Sequence, residues 1–186
     1  MAFSLPVPSR RLLLLIVAPV LGLVVVIGAA TNRSAETRAG PSGSPAPTGD
    51  VVDYNGVAGV RFGTTSAALT RDHGMLTRPG DCGPRLPAMP QLSLVLVDDK
   101  LALVWVSPPV HTPEGITVGS PVSAVRSAYP QAVELPPPTA NQYPGLIVTK
   151  DDRAYLFLYS GTEVRKVIVG FEQYARQLYA SGGDTC

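Results

Sequence analysis

The hydrophobic positions of this chain fall into three regimes, and each predicts a different kind of structure. Residues 12–30 form an uncharged, Leu- and Val-rich run of nineteen. As a helix rising about 1.5 Å per residue the run would span roughly 28 Å, close to the hydrocarbon thickness of a bilayer. Arg10 and Arg11 precede it and no equally dense basic pair comes closely after it. The positive-inside bias therefore puts residues 1–11 in the cytoplasm and the remainder outside. Gly28, Ala29 and Ala30 supply the small residues of a signal cleavage site, yet the run exceeds the roughly 7–15 apolar residues of a signal peptide. The expectation is a single-pass anchor in the lipid bilayer of the cell membrane, with an export signal as the alternative.

Residues 31–50 hold no Val, Ile, Leu, Met or aromatic side chain. Such a Gly/Pro/Ser-rich segment cannot bury enough apolar surface to offset its ordering entropy, so it is expected to be a disordered tether. Its twenty residues reach on the order of 25 Å, which keeps the C-terminal domain near the outer membrane face.

From residue 51 to 186 apolar blocks alternate with turn signals. Runs at 92–97 and 101–106 flank Asp98-Asp99-Lys100, and runs at 146–149 and 154–159 flank Asp151-Asp152-Arg153, the pattern of two β-hairpins. A strand is expected at 164–169 and a short helix at 171–180. Thr64 or Thr65 would cap a helix that ends at Gly74. Ser120 would cap a second, with Pro121 in its first position and Pro130 stopping it at Tyr129.

These elements come twice. Gly59-Val60-Arg61-Phe62-Gly63-Thr64 reappears 56 residues later as Gly115-Ile116-Thr117-Val118-Gly119-Ser120, and each copy leads through a helix to an acidic hairpin turn. The pattern predicts an internal duplication, repeat one over 59–106 and repeat two over 115–169. The expected fold is α+β, an antiparallel sheet built from two helix-then-hairpin units with short helices on one face.

With Val60, Phe62, Gly63 and Thr64 in one copy and Ile116, Val118, Gly119 and Ser120 in the other, the chain resembles the tandem repeat of β-lactamase inhibitor proteins and the related outer-membrane assembly lipoproteins. The stretch from Thr112 to Ser120 is also similar to a phrase in small secreted or anchored proteins of GC-rich Gram-positive bacteria. The resemblance implies the repeat fold. Inhibitor proteins of that family hold disulfides inside each repeat, which the two cysteines of this chain cannot copy.

Charge and chemistry narrow the function by exclusion. Past residue 50 eleven Lys and Arg face twelve Asp and Glu, with no basic stripe to neutralise phosphates, so nucleic acid is not an expected partner. Cys82 and Cys186 are the two cysteines, both beyond the anchor where a disulfide persists. A bond between them would close 104 residues and contribute roughly 4–5 kcal/mol in the chain-entropy model. His73 and His111 are far apart and lack metal-ligand spacing, and no cofactor motif occurs. No Gly-x-Ser-x-Gly elbow is present, and the Asp pairs read as turn residues, so an enzyme is not expected.

Tyr155, Phe157 and Tyr159 alternate onto one strand face opposite Leu156 and Leu158, and Trp105 is open to join them. Exposed, that face would anchor a secreted or wall-associated protein partner. Its alternative is a second buried layer beneath the segment from Leu135 to Pro138. The function expected is a non-catalytic interaction module outside the cytoplasm; the alternative is a small-ligand sensor or carrier binding between the repeats.

Overall fold

The computed structural model describes residues 49–78, 83–140 and 142–182. The 12–30 run, residues 31–48 of the tether, Cys82 and Cys186 lie outside the described residues. Among the described residues no helix is long and apolar enough to cross a membrane. Asp50, assigned to the tether by composition, belongs to the fold: its carbonyl accepts the His111 N–H at 3.1 Å.

The described residues form an α+β domain with three helices and a mostly antiparallel sheet. A two-stranded ribbon, β1 (Gly56–Val57) and β2 (Val60–Arg61), leads to α1 (Ser66–His73). Then come β3 (Leu92–Val97), β4 (Lys100–Val106), α2 (Val122–Ala128), β5 (Val133–Leu135), β6 (Gly145–Lys150), β7 (Arg153–Ser160), β8 (Glu163–Phe171) and α3 (Glu172–Ala180). Strands three to eight form one sheet in the order β3-β4-β8-β7-β6-β5.

Local chemistry explains the boundaries. Asp98 and Asp99 both take positive φ, 48° and 62°, as a two-residue hairpin turn of this hand requires and as Asp tolerates better than most residues. Thr65 caps α1 by accepting the Ala68 N–H at 3.3 Å, and Gly74 ends it at φ 65°. At α2 the cap position belongs to Pro121, which has no side-chain cap bond. Ser120, expected as that cap, instead accepts the Thr117 N–H at 3.0 Å and closes the turn before the helix.

Each face of the sheet carries a buried apolar layer. One face packs Val104, Val106, Leu146, Val148, Tyr155, Phe157 and Val167 beneath Leu69 of α1 and Val122 and Val125 of α2. The other packs Leu103, Ile147, Leu156, Leu158 and Ile168 beneath Ala175, Leu178 and Tyr179 of α3. The expectation of helices on one face thus holds for two of the three. α3 leaves the end of β8 toward the opposite side, where its i, i+3, i+4 apolar row meets the aliphatic face of β7 and β8. It is tied down by the Tyr179 hydroxyl, which donates toward the Leu135 carbonyl at 2.9 Å.

Two parts of this architecture match bond for bond. Before α1, Gly63 N–H donates to Leu101, Leu101 N–H to Thr64 and Ser66 N–H to Asp99, at 2.8, 2.9 and 2.9 Å. Before α2, Gly119 N–H donates to Val164, Val164 N–H to Ser120 and Val122 N–H to Thr162, each at 2.9 Å. Gly63 and Gly119 share the glycine conformation, φ 84° and 91°. The counterpart of the β3–β4 turn is therefore the β7–β8 turn, 63 positions on, and not the Asp151-Asp152 turn that the sequence pairs with it.

Strand register agrees with that shift. Leu96 faces Leu101 and Val95 faces Leu103, skipping Ala102; Tyr159 faces Val164 and Leu158 faces Lys166, skipping Arg165. β4 and β8 are antiparallel neighbours with Trp105 opposite Ile168, Val104 opposite Val169 and Val106 opposite Val167. A 63-position shift turns Trp105 into Ile168 and exchanges the other two pairs, so the halves are related by an approximate two-fold axis at the Trp105–Ile168 pair. Strands β5 and β6 have reduced counterparts in the single bridges Leu76–Arg85 and Arg85–Ser93.

Candidate functional site

The structure splits the four aromatic residues singled out by sequence. Tyr155 and Phe157 are buried, 1% and 0% exposed, so they form no partner-binding face. They stand in an aromatic cluster: the Tyr155 ring lies 4.3 Å from Tyr54 and 5.6 Å from Tyr129, and Phe157 lies 5.7 Å from Tyr129. The reason is visible in β7, whose two faces are both apolar; a run apolar on both sides needs cover on both sides. The cover over the aromatic row comes from the helices and the N-terminal ribbon rather than from the segment from Leu135 to Pro138. Burial pushes the Tyr155 phenol up, and burial with a hydrogen bond to Glu114 pushes up that of Tyr129.

Tyr159 is half-buried at the margin, where its hydroxyl donates to Glu134. That bond, the first cause, raises the phenol and lowers the carboxyl, which also accepts Arg126 at 3.0 Å. Tyr159 and Arg126 line an open cleft of about 670 Å³ beside the β7–β8 turn, with Ser123, Thr162 and Glu163.

Trp105 lies on the other face of the sheet. Ile168, opposite it, is also opposite Leu156, whereas Tyr155 is opposite Val169. Trp105 therefore shares the α3 side, and it is half-buried there with Val95 and Val97. The Lys166 ammonium stands 5.0 Å from the Trp105 ring centroid. Lys100 faces Val97 across the turn and is exposed. The result is an apolar strip framed by two cations, on the part of the sheet that α3 leaves partly open.

The symmetry relation explains why the strip is open. Shifted by 63 positions, Ser93, Val95 and Trp105 correspond to Leu156, Leu158 and Ile168. Those three are 0%, 3% and 0% exposed beneath α3. After β4, where an equivalent helix would begin, the chain has Ser107-Pro108-Pro109 and returns to pair His111 with Val52. One half of this face has a covering helix of its own.

A second candidate is a cleft of about 450 Å³ where the lead-ins to the two copies meet the β6–β7 turn. Most of its charged side chains have partners in or beside its walls. Glu114 accepts the Tyr129 hydroxyl, and Asp53 accepts the Asn55 and Gly56 N–H groups at 2.7 and 3.0 Å. Lys150 sits 5.7 Å over the Tyr54 ring. Arg153 lies 3.6 Å over the Phe171 ring and 2.5 Å from the Asp152 carboxylate, a charge contact not aligned as a hydrogen bond.

The remaining titratable residues have structural seats. His73 ends α1, and His111 is buried with its Nδ1 facing the Thr112 carbonyl at 2.8 Å. Among the described residues no three metal-ligating side chains converge. Sequence reasoning found Trp105 but missed Val95, Val97, Lys100 and Lys166 as its neighbours. The signal for them was the equal spacing of the two turns, Asp98-Asp99 and Gly161-Thr162, from the strands around them. Comparison with family models, with curated proteins and with solved structures finds no match for this chain.

Proposed function

We propose that this chain is a membrane-anchored, non-catalytic binding module, held outside the cytoplasm by residues 12–30, that recognises a protein partner through the sheet face at Trp105. The observation that carries the reading is the strip of Val95, Val97 and Trp105 between Lys100 and Lys166, in which Val95 and Trp105 are half-buried where their symmetry mates Leu158 and Ile168 are covered. A large, rigid aromatic with a cation on its ring combines apolar contact area with a charged handle, the composition of interface anchors. The matched hydrogen bonds and registers support the duplication of one helix-and-hairpin unit. On this reading the second copy kept a helix of its own on that face and the first copy left the place open for a partner.

The test is co-purification from native membranes of the full chain and of its Val95→Glu variant. Val95 is on the strip and half-buried, so a charge there should be tolerated by the fold and should abolish the association. An unchanged set of partners with a correctly folded variant would remove the reading. The small-ligand alternative is favoured by one observation, the cleft near Tyr54 and Glu114, and it predicts a ligand-dependent thermal shift lost in Tyr54→Ala.

A further inference from the structure

We infer that the occupant of the Trp105 strip is an amphipathic helix of a partner protein, carrying carboxylates along the margin of its apolar row and lying on β3 and β4 as α3 lies on β7 and β8. The inference rests on the proposed binding role of this face and names the chemistry of what binds. Its first support is the internal precedent. α3 presents Ala175, Leu178 and Tyr179 to Leu156, Leu158 and Ile168, and the two-fold relation carries those positions onto Ser93, Val95 and Trp105. A surface whose symmetry mate accepts a helix has the twist and spacing to accept one.

Its second support is charge. The strip is framed by Lys166 over the Trp105 ring and by Lys100 opposite Val97, two of the chain's three lysines. Carboxylates on the incoming helix would meet both, and such complementarity fixes register and partner choice more than it adds affinity. An anionic membrane is the competing occupant. Recognition of such a surface calls for clusters of about 4–8 basic residues, and the described residues place three on this face, Lys100, Lys166 and Arg85 opposite Ser93. An added strand is less suited, because the outer edge of β3 is already bridged at Ser93 by Arg85.

Trp105 is the single tryptophan of the chain, so its emission reports on this face alone. The experiment uses the full chain in phosphatidylcholine vesicles, titrated with a tryptophan-free stapled peptide of residues 170–181 bearing Gln173→Glu and Arg176→Glu. The expected result is a saturable blue shift. Lys100→Glu with Lys166→Glu should weaken it about tenfold or more, and a peptide with lysines in place of its acidic residues should restore it. No shift, or a shift indifferent to the charge reversal, overturns the inference. So does a blue shift produced by adding phosphatidylglycerol to the vesicles without peptide, which would assign the face to lipid. If the peptide is silent while Val95→Glu still abolishes co-purification, the helix inference falls and the binding role stands.

Discussion

Phe157 and Trp105 sit on opposite faces of one sheet and should respond differently to truncation. Phe157 is fully buried between Tyr129 and Tyr155, so Phe157→Ala should cost about 3–5 kcal/mol in urea unfolding. Trp105→Ala, from a half-buried site, should cost less, on the order of 1–2 kcal/mol, while removing the anchor of the strip. Backbone space limits Gly170 in the same sheet. It holds φ 150°, and a Cβ there would lie 2.2 Å from the Ala102 carbonyl oxygen, so Gly170→Ala should lower stability by roughly 2 kcal/mol or more. The buried phenols of Tyr129 and Tyr155 give a pH signature. Their folded values lie above that of an unfolded tyrosine, about 10. The stability they contribute is complete below that pH and is lost as pH rises beyond it, because the unfolded chain releases protons that the folded one retains. Thermal unfolding monitored from pH 8 upward should show a midpoint falling above about pH 10, less steeply in Tyr129→Phe. The sequence made the alternation of Tyr155, Phe157 and Tyr159 plain, but the side on which cover would fall depended on α1 and α2, which strand periodicity does not reveal.

At the scale of elements, strands bounded by strong turn chemistry were legible. β3 spans the run read from sequence, β4 extends its run by one residue and β6 and β7 extend theirs by one at each end, because Asp98-Asp99 and Asp151-Asp152 fix where the strands of each hairpin meet. β5 was not anticipated, since three residues with exposed Val133 and Glu134 show no alternation. The helix caps divide in the same way. The Thr65 hydroxyl oxygen accepts an N–H at the start of α1, so Thr65→Ala should cost about 1 kcal/mol and Thr65→Asp should retain the cap, as measured by chemical unfolding. Ser120 acts in the preceding turn, and its neighbour Pro121 takes the α2 boundary. The pairing of α2 with the β7–β8 turn was hidden because Asp151-Asp152 looks more like Asp98-Asp99 than Gly161-Thr162 does. Hydrogen-bond geometry, more than residue type, is what the two segments have in common.

For the whole molecule, a two-fold relation centred on Trp105 and Ile168 joins a sheet covered on both faces to one partly open quadrant. The recurring residue types raised the expectation of a doubling; the approximate axis and the asymmetry of cover emerged only from which turn each helix joins. The proposal places the protein's meeting with its partner, outside the membrane, at this quadrant. It is tested most directly by placing a photoreactive side chain at Val95, and separately at Ser123 on the far side of the sheet, in the full chain in its native membrane. A discrete cross-linked product from position 95, absent from position 123 and lost on Lys166→Glu, is the predicted result. Equal products from both positions, or none from position 95 in a folded and exported chain, would contradict it.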